Sequence, residues 1–180
     1  EGLRVLLGEG AAAIEDGMIA DGKLAAAERT AAADLVRIHG EARGVEDASW
    51  KADLTNALRG LSPAQQGAFN AATKGGVVVI TGGPGTGKTY TMRAIVQAYT
   101  HAGKTVNLCA PTGKAAKVLA EAAGHPASTI HRLLEWSPMG FRRNRNNPLS
   151  ADLVITDEAS MLAAQLAADL FQAIPPGAAL

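Results

Sequence analysis

Eight consecutive residues restrict this chain more than any other feature. Gly82-Gly83-Pro84-Gly85-Thr86-Gly87-Lys88-Thr89 fills every fixed position of G-x-x-x-x-G-K-[ST]. The run Val77-Val78-Val79-Ile80 precedes it. That run is β-branched and too short for a helix, so it predicts a buried strand of a parallel sheet. A helical stretch to His101, closed by Gly103, follows. Strand, glycine loop and helix in that order make an anion cradle. Glycines let backbone N–H groups converge on phosphate oxygens without a Cβ in the way. The helix starting near Gly87 aims its positive end at the same anion. Lys88 offers a point charge to β and γ phosphates, and the Thr89 hydroxyl offers a ligand for Mg²⁺.

The downstream text repeats the alternation. Thr105 to Ala110 reads as a second strand, and Gly113 to Ala123 as a helix ended by Gly124. A short helix is expected from Thr129 to about Glu135, capped by Ser128. Residues 137–150 read as an irregular loop rich in Arg and Asn. Leu153-Val154-Ile155-Thr156 is a third buried strand, with a helix over Ser160 to Ala173 and a turn at Pro175-Pro176-Gly177. Alternating strands and helices predict an α/β fold, a parallel sheet flanked by helices.

The third strand ends in two carboxylates, Asp157 and Glu158. Ligands of parallel α/β sheets sit at the carboxyl ends of the strands. There Asp157 can hold the Mg²⁺ shell and Glu158 can orient and deprotonate an attacking water, the work that nucleoside triphosphate hydrolysis needs. A helix N-terminus enriched in acids for dipole reasons would look similar. The phosphate loop upstream decides for the chemical reading.

The first sixty residues are less explicit. Leu3 to about Asp16 reads as a helix. Met18-Ile19-Ala20, Asp21-Gly22 and Lys23-Leu24-Ala25 read as a hairpin, because Asp-Gly supplies the positive φ of a two-residue turn. A helix over 26–39 ended by Gly40, a linker over 40–48 and a helical piece over 53–58 follow. Ser62-Pro63-Ala64-Gln65 then opens a helix to about Thr73, with Ser as N-cap, Pro at the first position and Gln at the third. These features divide the chain into a small mainly helical segment over 1–60 and a main domain over 61–180.

The formal net charge is zero, but residues 82–150 carry 9 Lys/Arg against 2 Asp/Glu, and the flanking blocks are acidic. A basic middle block fits a polyanion face or neutralisation within the fold. With 37 Ala, the core is expected to be Ala-padded. No apolar run reaches 18 residues and no signal peptide is visible. The lone Cys109 excludes disulfides and a cysteine metal site, which fits a reducing, cytoplasmic setting. The first residue is Glu1 rather than Met, as in an excerpt.

Together, Gly82–Thr89, Ala-Pro-Thr-Gly-Lys-Ala-Ala-Lys at 110–117, Ser-Thr-Ile-His-Arg-Leu-Leu at 128–134 and Asp-Glu-Ala-Ser-Met at 157–161 resemble the RecD-like helicases of superfamily 1. These include the exonuclease V alpha subunit and its stand-alone relatives. The resemblance covers roughly 61–180. It implies a RecA-like P-loop NTPase fold, ATP and Mg²⁺ as cofactors, and ATP hydrolysis coupled to 5′ to 3′ movement on single-stranded DNA in repair and recombination. Other helicase–nuclease subunits are implied partners. By the same resemblance Gln65 reads the adenine edge, and Tyr90, where many relatives carry Thr or a small residue, lies near the nucleotide. Pro111, Thr112, Gly113 and Lys114 touch the DNA backbone, with Thr129 and His131 also near DNA. A helix N-terminus beside a Lys suits phosphate.

Phe141-Arg142-Arg143-Asn144-Arg145-Asn146-Asn147-Pro148 fits a phosphate grip or a solvated basic loop. Trp50 and Trp136 are expected to be packed inside. Thr156 stands where many relatives have an apolar residue. The motor is expected to be truncated after the third core strand and its helix, so that this piece alone does not unwind DNA. Competing readings are a small-molecule kinase, which has no need of a water-activating Glu, a non-catalytic assembly subunit, and the helicase part of a conjugative relaxase.

Overall fold

The computed structural model describes residues 11–15, 18–45, 58–83 and 85–180. Three strands form a parallel sheet in the order β4, β3, β7: β3 is Val106–Ala110, β4 is Ala127–Thr129 and β7 is Leu153–Thr156. Leu108 pairs with Ala127 on one side of β3 and with Ile155 on the other. The ladder continues beyond β7. Ala179 bridges Leu153 in parallel, and its N–H donates to Asp152 O at 2.9 Å.

The run 77–80 lies beyond that. Leu180 N donates to Gly76 O at 3.0 Å and Val78 N donates to Leu180 O at 2.9 Å, the bonding pattern of a parallel pair. The expected strand 77–80 is therefore an extended segment with one paired partner among the described residues, and Val79 is exposed. A ladder strand needs successive partners, and this run has one.

Each face of the sheet is covered because the strands alternate sides. Val106, Leu108, Leu153 and Ile155 pack toward α2 (Pro63–Thr73), α3 (Lys88–His101) and α4 (Gly113–Ala123). Cys109 and Val154 pack on the other side with Ile38, Ile130, Leu134 and Leu170, from α1 (Gly22–Glu41), α5 (Ile130–Leu133) and its C-cap, and α6 (Ala164–Ala173). Fully burying each of these Leu and Ile side chains contributes about 1.5–3 kcal/mol. Buried Ala25 and Ala27 of α1 and Ala168 and Ala173 of α6 keep those contacting helices slim. The buried Tyr99 hydroxyl donates to Ala72 O at 2.9 Å and so ties α3 to α2.

Several sequence expectations need correction. Ala12–Glu15 is not helical: it is β1, paired antiparallel with β2 (Met18–Asp21). The chain has two Asp-Gly pairs. The second, Asp21-Gly22, starts α1 instead of turning a hairpin, because the Asp21 carboxylate accepts Leu24 N at 2.8 Å as an N-cap. Helix α1 then runs through Gly40 to Glu41. The helical piece over 53–58, save for Leu58, and residues 3–10 lie outside the described residues.

Farther on, α5 spans Ile130–Leu133 with Thr129, not Ser128, as its cap: the Thr129 hydroxyl accepts Arg132 N at 3.2 Å while Ser128 sits in β4. Within 137–150 there is order, with β5 (Trp136–Ser137) paired to β6 (Gly140–Phe141) and Asn144 bridged to Asn147. The final helix begins at Ala164, after a 3-10 turn over Ala159–Met161. The capping box at Ser62 and Gln65 and the helix Gly113–Ala123 stopped by Gly124 at φ +65° are as expected.

Candidate functional site

Parallel strands carry their carboxyl ends to one edge, and the motifs follow those ends. The phosphate loop follows 77–80, Pro111 to Lys114 follow β3, Thr129 and His131 close β4, and Asp157 with Glu158 follow β7. One edge of one sheet therefore receives all four sequence motifs.

The phosphate loop is built from its own backbone. Thr86 Oγ1 donates to Gly83 O at 2.8 Å, and Lys88 Nζ donates to Gly82 O and to Gly83 O. Gly87 caps α3 in the left-handed region (φ +79°, ψ +21°) with no side-chain cap bond, so the first turn presents its N–H groups toward the loop. The positive φ favours glycine at 87, and a Cβ there would also push the Gln65 amide aside. Thr89 and Tyr90 are exposed on the first turn of α3.

Gln65 uses both ends of its amide on backbone. Its Oε1 accepts Ser62 N at 2.8 Å, and its Nε2 donates to Thr86 O at 3.0 Å. The capping box, legible in the sequence, thereby reaches into the phosphate loop, which was not legible.

Asp157 N donates to Cys109 O at 3.0 Å, extending the β3–β7 ladder by one residue. Its Oδ1 accepts Glu158 N at 2.9 Å, leaving Oδ2 for a ligand. Glu158 is exposed and stands at φ +55°, ψ +39°, a left-handed conformation uncommon for residues other than glycine. The carboxylate pair thus projects from a bend between strand and 3-10 turn. Glu158 is the N-cap of that 3-10 turn, and α6 begins only at Ala164. A hydroxyl on Thr89 and a carboxylate on Asp157 are the hard oxygen donors that Mg²⁺ takes, few in number because phosphates and water complete its shell. No group of three or more His, Cys, Asp or Glu able to hold a metal occurs among the described residues.

Thr112 spends its hydroxyl accepting Ala115 N at 3.2 Å as the cap of α4, leaving Gly113 and Lys114 exposed beside half-buried Pro111. His131 packs its ring against Phe141, with centroids 5.5 Å apart and planes at 57°. Trp136 is not packed inside: it is 59% exposed and lines, with Phe141, Arg143 and Asp169, a cavity of about 350 Å³. Trp50 lies outside the described residues.

The arginine loop divides in two. Arg143 donates to Glu135 Oε1 at 2.7 Å and to Pro148 O at 3.2 Å, and Arg145 grips Asp34 of α1. Arg142 remains 74% exposed, its Nε 4.0 Å from Glu135. The Asp34 contact escaped sequence reading. Its signal was a carboxylate on the stripe Ala27, Asp34, Ile38, all buried in α1.

Residues 65–180 match the family described as an AAA domain. The chain is 48% identical over 122 residues to the ATP-dependent RecD2 DNA helicase of Deinococcus radiodurans, covering 68% of this chain and 17% of that protein. It is 39% identical over 140 residues to the RecBCD enzyme subunit RecD of Mycobacterium tuberculosis, covering 64% and 24%. It is 36% identical over 129 residues to the ATP-dependent DNA helicase dda of Enterobacteria phage T4, covering 64% and 29%. The chain therefore spans less than a third of the length of each of these relatives.

Proposed function

The chain belongs to the AAA domain family, in its RecD-like superfamily 1 branch, and we propose that it is the ATP-binding part of a DNA helicase motor. The observation that carries this reading is the placement of the phosphate loop and the Asp157-Glu158 pair at one edge of a parallel sheet. Movement on single-stranded DNA in the 5′ to 3′ sense, a role in repair and recombination, helicase–nuclease subunits as partners and a cytoplasmic setting complete the proposal. The helicase names of the relatives support it. No helix among the described residues is long and apolar enough to cross a membrane.

The chain's own groups divide the work. Backbone N–H groups of residues 85–89 hold the phosphates, and Lys88 Nζ exchanges its loop carbonyls for β and γ phosphate oxygens. Tyr90, on the same turn, borders the nucleotide. Thr89 and Asp157 hold Mg²⁺, which when bound neutralises charge on the phosphate oxygens. Glu158 accepts the proton of a water as its oxygen bonds to the γ phosphorus and the bond to the β–γ bridging oxygen breaks, releasing ADP and phosphate. Lys114 and the first-turn N–H groups of α4 contact DNA phosphates, with Thr129 and His131 beside them.

The deciding experiment is ATP turnover by the full-length protein with and without single-stranded DNA. DNA-stimulated turnover that vanishes in Lys88→Ala is expected. Nucleotide binding with no stimulation by DNA would replace the motor by an assembly ATPase.

A further inference from the structure

The β5–β6 hairpin and α6 enclose the cavity of about 350 Å³, and no residue of the phosphate loop or of the Asp157-Glu158 pair lines it. Its size falls in the range of small-molecule sites. Trp136 and Phe141 are register partners in the hairpin, so their side chains share one face of it. The Phe141 ring is half-buried and already meets His131. The Trp136 indole is mostly exposed and has no ring partner among the described residues.

The polar lining sorts into spent and unspent groups. Arg143 donates to Glu135 and to Pro148 O. Asn144 accepts Asn146 N and Asn147 N and donates to Arg142 O. Both hold the base of the hairpin. Asp169 and Gln172, three apart on one face of α6, differ. The Asp169 oxygens meet only Gln165 Nε2, at 3.4 and 3.5 Å, long for such bonds. Burial pushes the Asp169 carboxyl above its usual range, and the Gln165 contact offsets this only in part. Neither the Gln172 amide nor the Trp136 indole N–H has a hydrogen-bond partner among the described residues. The cavity thus holds a carboxylate in want of donors, two N–H groups in want of an acceptor, and an open aromatic face.

A splayed nucleobase supplies all three, by its edge and by its π-face. Guanine alone among the DNA bases carries two adjacent donors, N1–H and N2–H, with an acceptor, O6, beside them. Adenine and cytosine would set a ring-nitrogen lone pair against the carboxylate, and thymine flanks its single N–H with two carbonyls. A cationic side chain would satisfy Asp169 but leave the Gln172 and Trp136 donors empty, with Arg143 opposing its charge. Exposed Arg142, next to Phe141 in the chain, suits instead the phosphate that accompanies a base.

We propose that this cavity takes one guanine base of single-stranded DNA, stacked on Trp136, with Asp169 accepting from N1–H and N2–H and Gln172 donating to O6. This rests on the DNA-binding reading above and adds a base preference to it.

The test is binding of the full-length protein, at fixed salt and without nucleotide, to three oligonucleotides of one length: all thymidine, thymidine with spaced guanosines, and the same with inosine for guanosine. Inosine lacks only the N2 amino group. The guanosine strand is expected to bind about tenfold tighter than the thymidine strand, the scale of hydrogen bonds to a charged group, and inosine to lose most of that gain. Asp169→Asn is expected to bring the guanosine strand down to the thymidine level, leaving thymidine binding and thermal melting unchanged. The inosine comparison uses the unmutated protein and so stands whether or not the variant folds. Equal affinity for all three strands would overturn the proposal, as would a guanosine preference that survives both inosine and Asp169→Asn. Binding of oligolysine that Asp169→Asn abolishes, with no guanosine preference, would overturn it in favour of a cationic partner. Failure of the unmutated protein to bind any of the strands would reject the DNA-binding reading itself, and this assignment with it.

Discussion

Arg145 donates from Nη2 to both carboxylate oxygens of Asp34, at 2.8 and 2.9 Å, across 111 residues of sequence. Asp34 is fully buried, and Arg37 Nε takes Oδ1 at 2.9 Å. Arg37 continues to Phe171 O and Ile174 O, both at 3.1 Å, at the end of α6. One carboxylate thus joins α1, α6 and the arginine loop. Asp34→Ala removes it and leaves two guanidinium groups to find water, one of them mostly buried, with a cost of about 3 kcal/mol. Arg145→Ala leaves Arg37 in place and costs less, about 1–2 kcal/mol. A double-mutant cycle by urea denaturation is expected to return a coupling near 1 kcal/mol or more. Additive costs would mean the contact carries no stability.

The same contact changes which arginine can reach nucleic acid. Arg143 and Arg145 are held by Glu135 and Asp34, whereas Arg142 is exposed. Arg142→Ala is expected to flatten the salt dependence of single-strand binding by about 0.7 in log–log slope, one phosphate contact. Arg145→Ala is expected to leave that slope alone. Equal effects from both would show that the Asp34 pair opens on binding DNA.

What was legible in the sequence is what local rules decide. The capping box at Ser62 and the stop at Gly124 depend on residues a few positions apart, and the structure has both. The two Asp-Gly pairs show where such rules divide. Either pair can turn a hairpin, and Asp21 became an N-cap only because its carboxylate found Leu24 N. Asp34–Arg145 and Gln65–Thr86 join residues far apart in sequence, and no local rule connects them. The arginine loop consequently read as one basic patch, when two of its three charges are spent inside the fold.

Two buried acids make stability fall at high pH. Burial pushes the Cys109 thiol from its ordinary 9.0 up to about 12, and burial, aided by Asp152, pushes the Tyr99 hydroxyl from 10.0 up to about 12. Both folded values are raised, so the stabilisation is complete below pH 9. It then falls as the unfolded chain ionises first, Cys109 leading from pH 9 and Tyr99 joining from pH 10. Each group contributes a slope of about 1.4 kcal/mol per pH unit until its folded form titrates. Denaturation midpoints at pH 8, 9.5 and 11 check this. Cys109→Ala is expected to remove the decline between 9 and 10, and its persistence would assign that decline to another group.

Thr156 pairs with Cys109 in the sheet, and its buried hydroxyl has no hydrogen-bond partner among the described residues beyond the weak one that the Cys109 thiol offers. Valine keeps the shape and the β-branching while removing a buried hydroxyl that only a weak thiol partner meets. Thr156→Val is therefore expected to stabilise the fold by about 1 kcal/mol, read as a higher melting temperature. A lower one would mean that a water satisfies the hydroxyl and belongs to the structure.

Glu158 holds a left-handed backbone, φ +55°, that costs an L-residue about 1 kcal/mol. Strain of this kind persists where the side chain has work to do, here at the end of β7 beside Asp157. Two substitutions separate strain from chemistry. Glu158→Gln keeps the backbone cost and the side-chain volume but cannot accept the water's proton. Glu158→Gly loses the carboxylate and relieves the strain, offset in part by the greater freedom of glycine in the unfolded chain. Both are expected to bind ATP and to lose turnover in the full-length protein. Glu158→Gln is expected to match the unmutated melting point, and only Glu158→Gly to exceed it, by up to about 1 kcal/mol of added stability. Retained turnover in Glu158→Gln would remove Glu158 from the base role. A destabilised Glu158→Gly would show that contacts of the side chain, rather than its chemistry, hold the bend.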